Sequence, residues 1–402
     1  NVDCSYISLG ANANLYCTGT LQAGRKMTIG TGATVYSKGN MTYPNYTTSS
    51  NDATIYNNGT IICDSIITIE KYLINYSGRT VIAKGGLIID NCDGSNYSIN
   101  NAGNIYVSGD VNCKGAVYTT GGTIQVLGGI YAANSNGNDI LHTNGACSVY
   151  VRGVLSTTNG SNKNFWIDSG GAATVSILGV GGSTDVFNGK LNKFYVNCAG
   201  SNVYFGGDAN INTGSEEFLN SGNLYVYGSL TVPTTAAVTF TKAYKTVIKE
   251  NLTASNTSGL SVKENHLLYV FGNISVSTIT VDGASSKVHA DGTINAVGAL
   301  NLTNGGLLEG VGGVSAGSYN TSGGDFNSIK TITFSGNITA NDIPNGYLSG
   351  GSVSGDSMTL NNVKLKVEGD LNLNGGALTL TNGSVLYVTG VLRCGAISLN
   401  NS

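Results

Sequence analysis

The sequence has few charged residues, few prolines and few of the residues that build helices. Only 11% of its 402 residues are Asp, Glu, Lys or Arg, and it contains 3 prolines and 1 tryptophan. No stretch carries apolar residues at the 3.6-residue spacing of an amphipathic helix, whereas apolar and polar residues alternate along most of the chain. Asn, Ser, Thr and 58 glycines take the place of charged residues. This composition excludes a helical protein and predicts an all-β one.

Charge and hydropathy exclude two classes of partner. The formal net charge is −3 and the pI is near 5.6, so the chain has no basic stripe for nucleic acid or for an anionic lipid surface. The chain contains no run of about eighteen consecutive apolar residues, the length that a segment needs to cross a bilayer. The chain begins at Asn1 rather than Met and contains many N-x-S/T sequons. These features favour a secreted or cell-surface protein.

A seven-residue phrase recurs along the chain. It reads LYCTGTL from residue 15, VYSKGNM from 35, IYNNGTI from 55, IYVSGDV from 105, LYVYGSL from 224 and LYVTGVL from 386. The residues four and two before its glycine, and two after it, are apolar, whereas those between are polar or aromatic. This period of two is typical of strands with one buried face. The phrase predicts about seventeen or eighteen turns of about 22 residues.

Stacked repeats of this kind are typical of a solenoid, because a unit of about 22 residues cannot bury its apolar face alone. We predict one continuous, single-domain, right-handed parallel β-helix (β-solenoid) over residues 1–402. The glycine of the phrase is expected at a bend where either the backbone angles or a close approach exclude a Cβ. Longer polar stretches predict loop insertions near 42–54, 131–146 and 156–172.

The eight cysteines are scattered, with no Cys-x-x-Cys and no paired Cys/His spacing. Neither a metal nor a cofactor is therefore predicted. Cys17, Cys63, Cys113 and Cys394 fall on the inward phase of the phrase and are expected to be small buried apolar residues.

Tyrosine often occupies the outward position three residues before the glycine. In register on successive turns, such tyrosines would form an exposed ladder. The ladder either stabilises the pleated surface through cross-strand pairs or binds glycan or a neighbouring rod. The candidate residues are Tyr16, Tyr36, Tyr56, Tyr106, Tyr150, Tyr204, Tyr225, Tyr269 and Tyr387.

Both ends of the chain keep the alternation of the repeat and carry no capping element. An uncapped terminal turn exposes an unpaired strand edge and an open core. The leading hypothesis is therefore a filament in which the last turn of one copy stacks on the first turn of the next, giving a head-to-tail homopolymer. Cys4 and Cys394 would then meet at the junction. The predicted assembly interface comprises Cys4, Tyr6, Ile7, Leu9, Cys394, Ile397 and Leu399.

Nearly the whole chain resembles bacterial β-solenoid surface proteins of the filamentous-haemagglutinin type and, more loosely, the polymer-forming bactofilins. Their repeats also run as apolar-x-Gly-x-apolar steps. The resemblance implies surface attachment or polymerisation. It leaves a monomeric adhesin that binds glycan through the tyrosines as the alternative to a filament.

An enzyme that cleaves polysaccharide is a third alternative. Asp110, Asp208 and Asp370 each follow a motif glycine, but they come from distant turns and are not expected to meet as a catalytic pair. The pectin-lyase-like enzymes share the predicted architecture, yet none of their catalytic acids matches a position here. We therefore predict no catalytic residues and no enzymatic activity.

Overall fold

The structure is a computed structural model. It describes residues 1–43, 53–90, 97–132, 139–157, 163–168, 170–179, 185–213, 217–233, 235–254, 259–327 and 332–400. The chain divides into two compact units, Asn1–Asn212 and Thr213–Ser402. Each unit is a stack of parallel β-solenoid turns, about 17 in all with about 20 residues per turn. The all-β, parallel β-solenoid prediction is confirmed, and among the described residues there is no helix.

The first unit contains strands β1 to β25. Their bounds are β1 Val2–Leu9, β2 Asn14–Cys17, β3 Leu21–Ile29, β4 Thr34–Ser37, β5 Met41–Tyr43, β6 Thr54–Asn57, β7 Thr60–Cys63, β8 Ile66–Ile69, β9 Tyr72–Asn75, β10 Thr80–Ala83, β11 Gly86–Ile89, β12 Ile99–Asn101, β13 Asn104–Val107, β14 Val111–Cys113, β15 Val117–Thr119, β16 Gly122–Val126, β17 Ile130–Ala132, β18 Leu141–Thr143, β19 Cys147–Val151, β20 Leu155–Thr157, β21 Lys163–Ile167, β22 Thr174–Ile177, β23 Asp185–Val196, β24 Asn202–Phe205 and β25 Asp208–Asn212.

The second unit contains strands β26 to β49. Their bounds are β26 Phe218–Asn220, β27 Asn223–Val226, β28 Leu230–Thr231, β29 Val238–Phe240, β30 Lys245–Ile248, β31 Leu252–Ala254, β32 Leu260–Lys263, β33 Leu267–Val270, β34 Ile274–Val276, β35 Ile279–Asp282, β36 Lys287–Ala290, β37 Ile294–Thr303, β38 Leu307–Gly310, β39 Val314–Ser322, β40 Asp325–Asn327, β41 Ile332–Phe334, β42 Ile338–Gly350, β43 Val353–Ser354, β44 Met358–Val367, β45 Leu371–Asn372, β46 Ala377–Thr381, β47 Val385–Val388, β48 Leu392–Arg393 and β49 Ala396–Asn400.

Each turn contributes three strand segments, so each unit has three parallel faces. In the first unit, the first face runs through β3, β5, β8 and β11, and the second through β3, β6, β9 and β12. The third runs through β2, β4, β7 and β10. The second unit repeats this order and ends with β48, β49 and β47 on its first, second and third faces.

Alternation along each strand places every second side chain in the core. In β10, Val81 and Ala83 are buried, whereas Thr80 and Ile82 face outward. Phe165, Phe194 and Phe205 pack inside the first unit, and the Phe165 and Phe194 rings stack with centroids 4.9 Å apart. The period-two pattern of the sequence thus becomes one continuous apolar interior in each unit, whose burial stabilises the fold.

Most motif glycines, Gly39 and Gly153 among them, lie where the third face turns into the first. A Cβ added to Gly39 would lie 2.8 Å from the carbonyl group of Gly19, and one added to Gly153 would lie 2.7 Å from that of Gly128. Neither Gly39 nor Gly153 has a positive φ. The glycine is therefore required by the close approach of the neighbouring turn and not by its backbone angles.

The predicted insertions lie partly outside the described residues, since 44–52, 133–138, 158–162 and 169 are not described. Within the described parts, β18 and β21 are regular second-face strands. Their inward residues Leu141 and Phe165 are buried. These two segments are therefore core strands and not loop, which corrects part of the predicted insertions near 131–146 and 156–172.

Candidate functional site

The predicted tyrosines face outward but do not occupy consecutive turns. On the third face of the first unit, Tyr16 pairs with Tyr36, and their ring centroids are 6.3 Å apart. Further along, Ile62 and Ile82 lie between Tyr36 and Tyr106. Gln125 lies between Tyr106 and Tyr150, and Ser176 lies between Tyr150 and Tyr204. In the second unit, Val247 separates Tyr225 from Tyr269, and Tyr387 pairs with Lys366. The structure thus gives a column of outward positions in which tyrosine is frequent but interrupted.

Tyr56 lies on a different face from the other eight tyrosines. It pairs with Thr28 and Ile74 on the second face, which corrects its predicted place in the ladder. The reason is that Gly59 follows a second-face strand, whereas Gly39 follows a third-face strand. The same phrase therefore marks two different bends, and the phrase alone does not distinguish them.

Several column tyrosines already have polar or cationic partners. Tyr36 donates a hydrogen bond of 2.6 Å from its hydroxyl to Asp64 Oδ2, and Asp64 also pairs with Lys84 at 2.8 Å. The hydrogen bond to Asp64 raises the pKa of Tyr36. Lys287 lies over the Tyr269 ring, with Nζ 5.9 Å from its centroid. These contacts are the cross-strand pairs that stabilise a pleated surface.

The described chain leaves two edge turns with partner strands on one side only. β1 pairs with β3 alone, so that Val2 lies beside Leu21, Cys4 beside Ala23 and Ile7 beside Met27. At the other edge, β48 pairs with β45 alone and β49 with β46 alone.

The turn formed by β47 to β49 is the most apolar exposed surface in the described part of the chain. Ile397 is 56% exposed, Leu399 61% and Tyr387 59%. Elsewhere the equivalent inward positions, such as Leu378 and Leu380 directly beneath, are buried. Leu392, Cys394 and Ile397 also line a shallow depression there. At the β1 turn, Tyr6 is exposed, Ile7 is buried, and Cys4 and Leu9 are half-buried.

The cysteines divide into buried and edge residues. Cys17, Cys63 and Cys113 are buried, as predicted from their phase, and Cys147 and Cys198 are buried as well. Burial raises the pKa of Cys63 and raises that of Cys147 to about 11, so these thiols stay protonated and unreactive. Cys4 and Cys394 are half-buried free thiols, so Cys394 is less buried than its inward phase predicted.

Carboxylates of the first-face corners act as backbone caps. Asp110 Oδ1 accepts a 2.8 Å hydrogen bond from the Gly129 amide, and Asp370 Oδ1 accepts a 2.9 Å bond from the Val391 amide.

His289 lies between Glu309 and Asp291, at 2.9 Å from each. Among the described residues, no group of three or more His, Cys, Asp or Glu side chains could hold a metal ion.

A second group of aromatic residues was not singled out from the sequence. On the second face of the first unit, Tyr118 pairs with His142, His142 with Trp166, and Trp166 with Tyr195. Tyr97 stacks on Tyr118 with centroids 4.3 Å apart. We call these five residues the aromatic stripe. Unlike the tyrosine column, it is uninterrupted over four successive turns.

Polar groups adjoin the aromatic stripe. His142 Nδ1 lies 2.8 Å from Asp139 Oδ2 and 3.2 Å from the Tyr97 hydroxyl. Asn164 Nδ2 donates a 2.8 Å bond to Asp139 Oδ1. Three covered polar atoms have no hydrogen-bond partner: His142 Nε2, Asn164 Oδ1 and Trp166 Nε1. The stripe therefore combines partly exposed rings with covered polar atoms that lack a hydrogen-bond partner.

Comparisons of this chain with family models, with curated proteins and with solved structures gave no match. Among the described residues, no helix is long and apolar enough to cross a membrane.

Proposed function

We propose that this protein is a subunit of an extracellular structural filament in which solenoids stack head to tail. The observation that carries the proposal is the match between its two edge turns. The segment 2–9 reads VDCSYISL and the segment 392–399 reads LRCGAISL. Apolar residues and cysteine stand at the same four positions in both. Leu21 and Leu392 each lie two residues after a motif glycine, and Val2 pairs with Leu21, so both segments occupy the same place in a turn.

In the proposed stack, each residue of β1 in one copy would lie beside the residue at the same position of the last turn of the preceding copy. Leu392 would lie beside Val2, Cys394 beside Cys4, Ile397 beside Ile7 and Leu399 beside Leu9. Arg393 would lie beside Asp3, and opposite charges on neighbouring strands attract. The contact would form on the first and second faces, whereas β47 on the third face would gain no partner from β1.

We expect a second copy of the chain to cover the last turn, because its β1 presents the apolar pattern of a further solenoid turn. The last turn offers unpaired backbone groups and exposed apolar side chains at solenoid spacing, which invite another parallel strand. Fully burying an Ile or a Leu side chain contributes about 1.5–3 kcal/mol. A head-to-tail contact of this kind adds one copy after another to an open filament and does not form a closed ring.

Location outside the cell is part of the same proposal. The chain resembles β-solenoid surface proteins in its repeat, and its surface relies on Asn, Ser and Thr in place of charged residues. Labelling intact cells with a membrane-impermeant biotin reagent tests it: the protein is expected to be labelled, and protection until the cells are lysed would contradict an extracellular location.

Negative-stain microscopy and analytical ultracentrifugation test the assembly. The 402-residue chain is expected to form filaments whose amount rises with concentration. Ile397→Asp is expected to abolish them, because it places a charge in the buried junction. Ser398→Asp on the outer face of the same strand is the matched control and should leave them intact. Monomers at every concentration, or filaments that survive Ile397→Asp, would refute head-to-tail stacking through this turn.

A further inference from the structure

We infer that each filament junction leaves a groove one strand wide on the third face, and that an extended peptide from a separate polypeptide binds there parallel to β47. The inference rests on the proposed head-to-tail stacking and adds a partner that this contact would recruit.

The order of strands along the chain creates the groove. Between β46 and β48, residues 382–391 include the third-face strand β47 and the motif glycine Gly390. In a stack of 402-residue chains, only Asn401, Ser402 and the Asn1 of the next copy lie in sequence between β49 and β1. So short a segment cannot supply a strand and both of its bends. The third face of the stack therefore lacks one strand at each junction.

The neighbouring copy cannot close the groove by moving nearer. If β2 paired directly with β47, β1 would lie one strand spacing above β45 and β46, where β48 and β49 already lie. β47 and the β2 of the next copy are therefore separated by two strand spacings, about 9.6 Å. This separation admits one strand and leaves no room for a second.

The walls of the groove offer backbone and apolar partners to a strand. In the described chain β47 pairs with β44 and β2 pairs with β4, each on one side only. Each strand therefore presents a row of unpaired N–H and C=O groups to the groove. Leu386 and Val388 of β47 and Leu15 of β2 point inward but are only half-buried. The residues paired with them one turn deeper in the stack, such as Val367 and Val35, are buried.

These walls define the chemistry of the occupant. A lipid or a sugar lacks a row of alternating N–H and C=O groups, so it would leave both strand edges unpaired, whereas an added peptide strand satisfies them. On the outer side, Tyr387 of one copy and Tyr16 of the next are 59% and 68% exposed. Lys366 pairs with Tyr387 within the stack, and a lysine or an aromatic ring packs well on a tyrosine ring. The occupant is therefore an extended peptide with apolar residues at alternate positions and lysine or aromatic residues between them.

A peptide that copies the chain's own third-face strand tests the groove. The probe is the fluorescein-labelled peptide NNVKLKVEGD, residues 361–370, which contains the strand segment on which β47 lies. Its fluorescence anisotropy is titrated with preformed filaments of the 402-residue chain. Saturable binding of one peptide per chain is expected. The control peptide carries Leu365→Ser and Val367→Ser, which keep its charges, and is expected to bind about tenfold more weakly or worse because it loses two apolar contacts.

Variants of the chain locate the binding. Val388→Ser is expected to weaken peptide affinity about threefold or more, because it removes an apolar contact from one wall. Val247→Ser makes the same substitution on the outer side of the third-face strand β30, several turns from the junction, and should leave the affinity unchanged. Negative-stain microscopy checks that both variants still form filaments. Ile397→Asp, which keeps the chain monomeric, leaves only one wall for the peptide and should reduce affinity at least tenfold.

The outcomes separate this inference from the proposed function. Absence of filaments would refute the head-to-tail stack and the groove together. Filaments that do not bind the peptide would overturn the groove alone and leave the stack standing. Equal binding of the two peptides, or equal binding to filaments and to Ile397→Asp monomers, would also overturn it, since the peptide would then pair with a single exposed edge or bind without regard to its apolar pattern.

Discussion

His266 is a buried base kept neutral by its burial. Its Nδ1 lies 3.0 Å from the Thr241 carbonyl and must donate to it, so its Nε2 accepts from the Thr246 hydroxyl at 3.0 Å. Asn220 donates to the same hydroxyl. Burial lowers the pKa of His266 to about 4, although its backbone contacts oppose this.

The lowered pKa of His266 predicts acid-sensitive stability. An unfolded histidine titrates near pH 6.5, so between pH 6.5 and about 4 the unfolded chain binds a proton that the folded chain does not. Stability from this group is complete above pH 6.5 and falls by about 3 kcal/mol as the pH drops to about 4. Urea unfolding midpoints measured across this range should decline.

A pair of variants separates this effect from general acid unfolding. His266→Gln is expected to be less stable at pH 7 and to flatten the pH dependence. Thr239→Gln introduces the same side chain on the outer face of β29 without removing a titratable group, and it should keep the wild-type slope. An unchanged slope in His266→Gln would mean that other groups cause the acid sensitivity.

The sequence predicted the outward position of Tyr225 but not the place of Trp166 on the second face. The difference is physical. Most third-face strands end at a motif glycine, which fixes the phase of their side chains. Second-face strands such as β15, β18 and β21 have no such marker, and β18 and β21 follow stretches of unequal length. Their register follows from backbone pairing between turns, which residue spacing along the chain does not reveal.

At the scale of strands, polar side chains are tolerated inside the solenoid where they form a ladder. Asn57 Nδ2 donates to Asn75 Oδ1 at 2.7 Å, and Asn75 Nδ2 donates to Asn101 Oδ1 at 2.8 Å. Asn101 Nδ2 in turn donates a hydrogen bond to the Thr119 hydroxyl. All four are buried. Each turn satisfies the amide of the next, so the parallel stack supplies the partners that a buried amide requires.

The corner glycines give an element-scale prediction. Gly153→Ala is expected to lower the free energy of unfolding by about 1–3 kcal/mol, because the new methyl group would overlap the Gly128 backbone. Gly10→Ala is the control, since no atom lies within 4 Å of its added Cβ. Urea unfolding compares the two. Equal effects would show that lost chain flexibility, and not close approach between turns, governs these positions.

At the scale of the whole molecule, the proposed junction places two free thiols on adjacent strands. Parallel strands lie about 4.8 Å apart, which falls within the Cα separation of a disulfide, about 4.4–6.8 Å. Cys394 of one copy and Cys4 of the next would therefore be within bonding reach. The other described cysteines are buried inside their own units.

Mild oxidation of preformed filaments should convert them into covalent ladders on non-reducing gels. Burial, with the nearby Asp3 charge adding to it, raises the pKa of the Cys4 thiol. Because the thiolate is the reactive form, cross-linking should accelerate as the pH rises. Cys4→Ser and Cys394→Ser should each abolish the ladder but keep the filaments, whereas Cys63→Ser should change neither. Filaments that never cross-link, or ladders that persist in Cys4→Ser, would show that copies meet in another register, because only the proposed one brings these two sulfurs together.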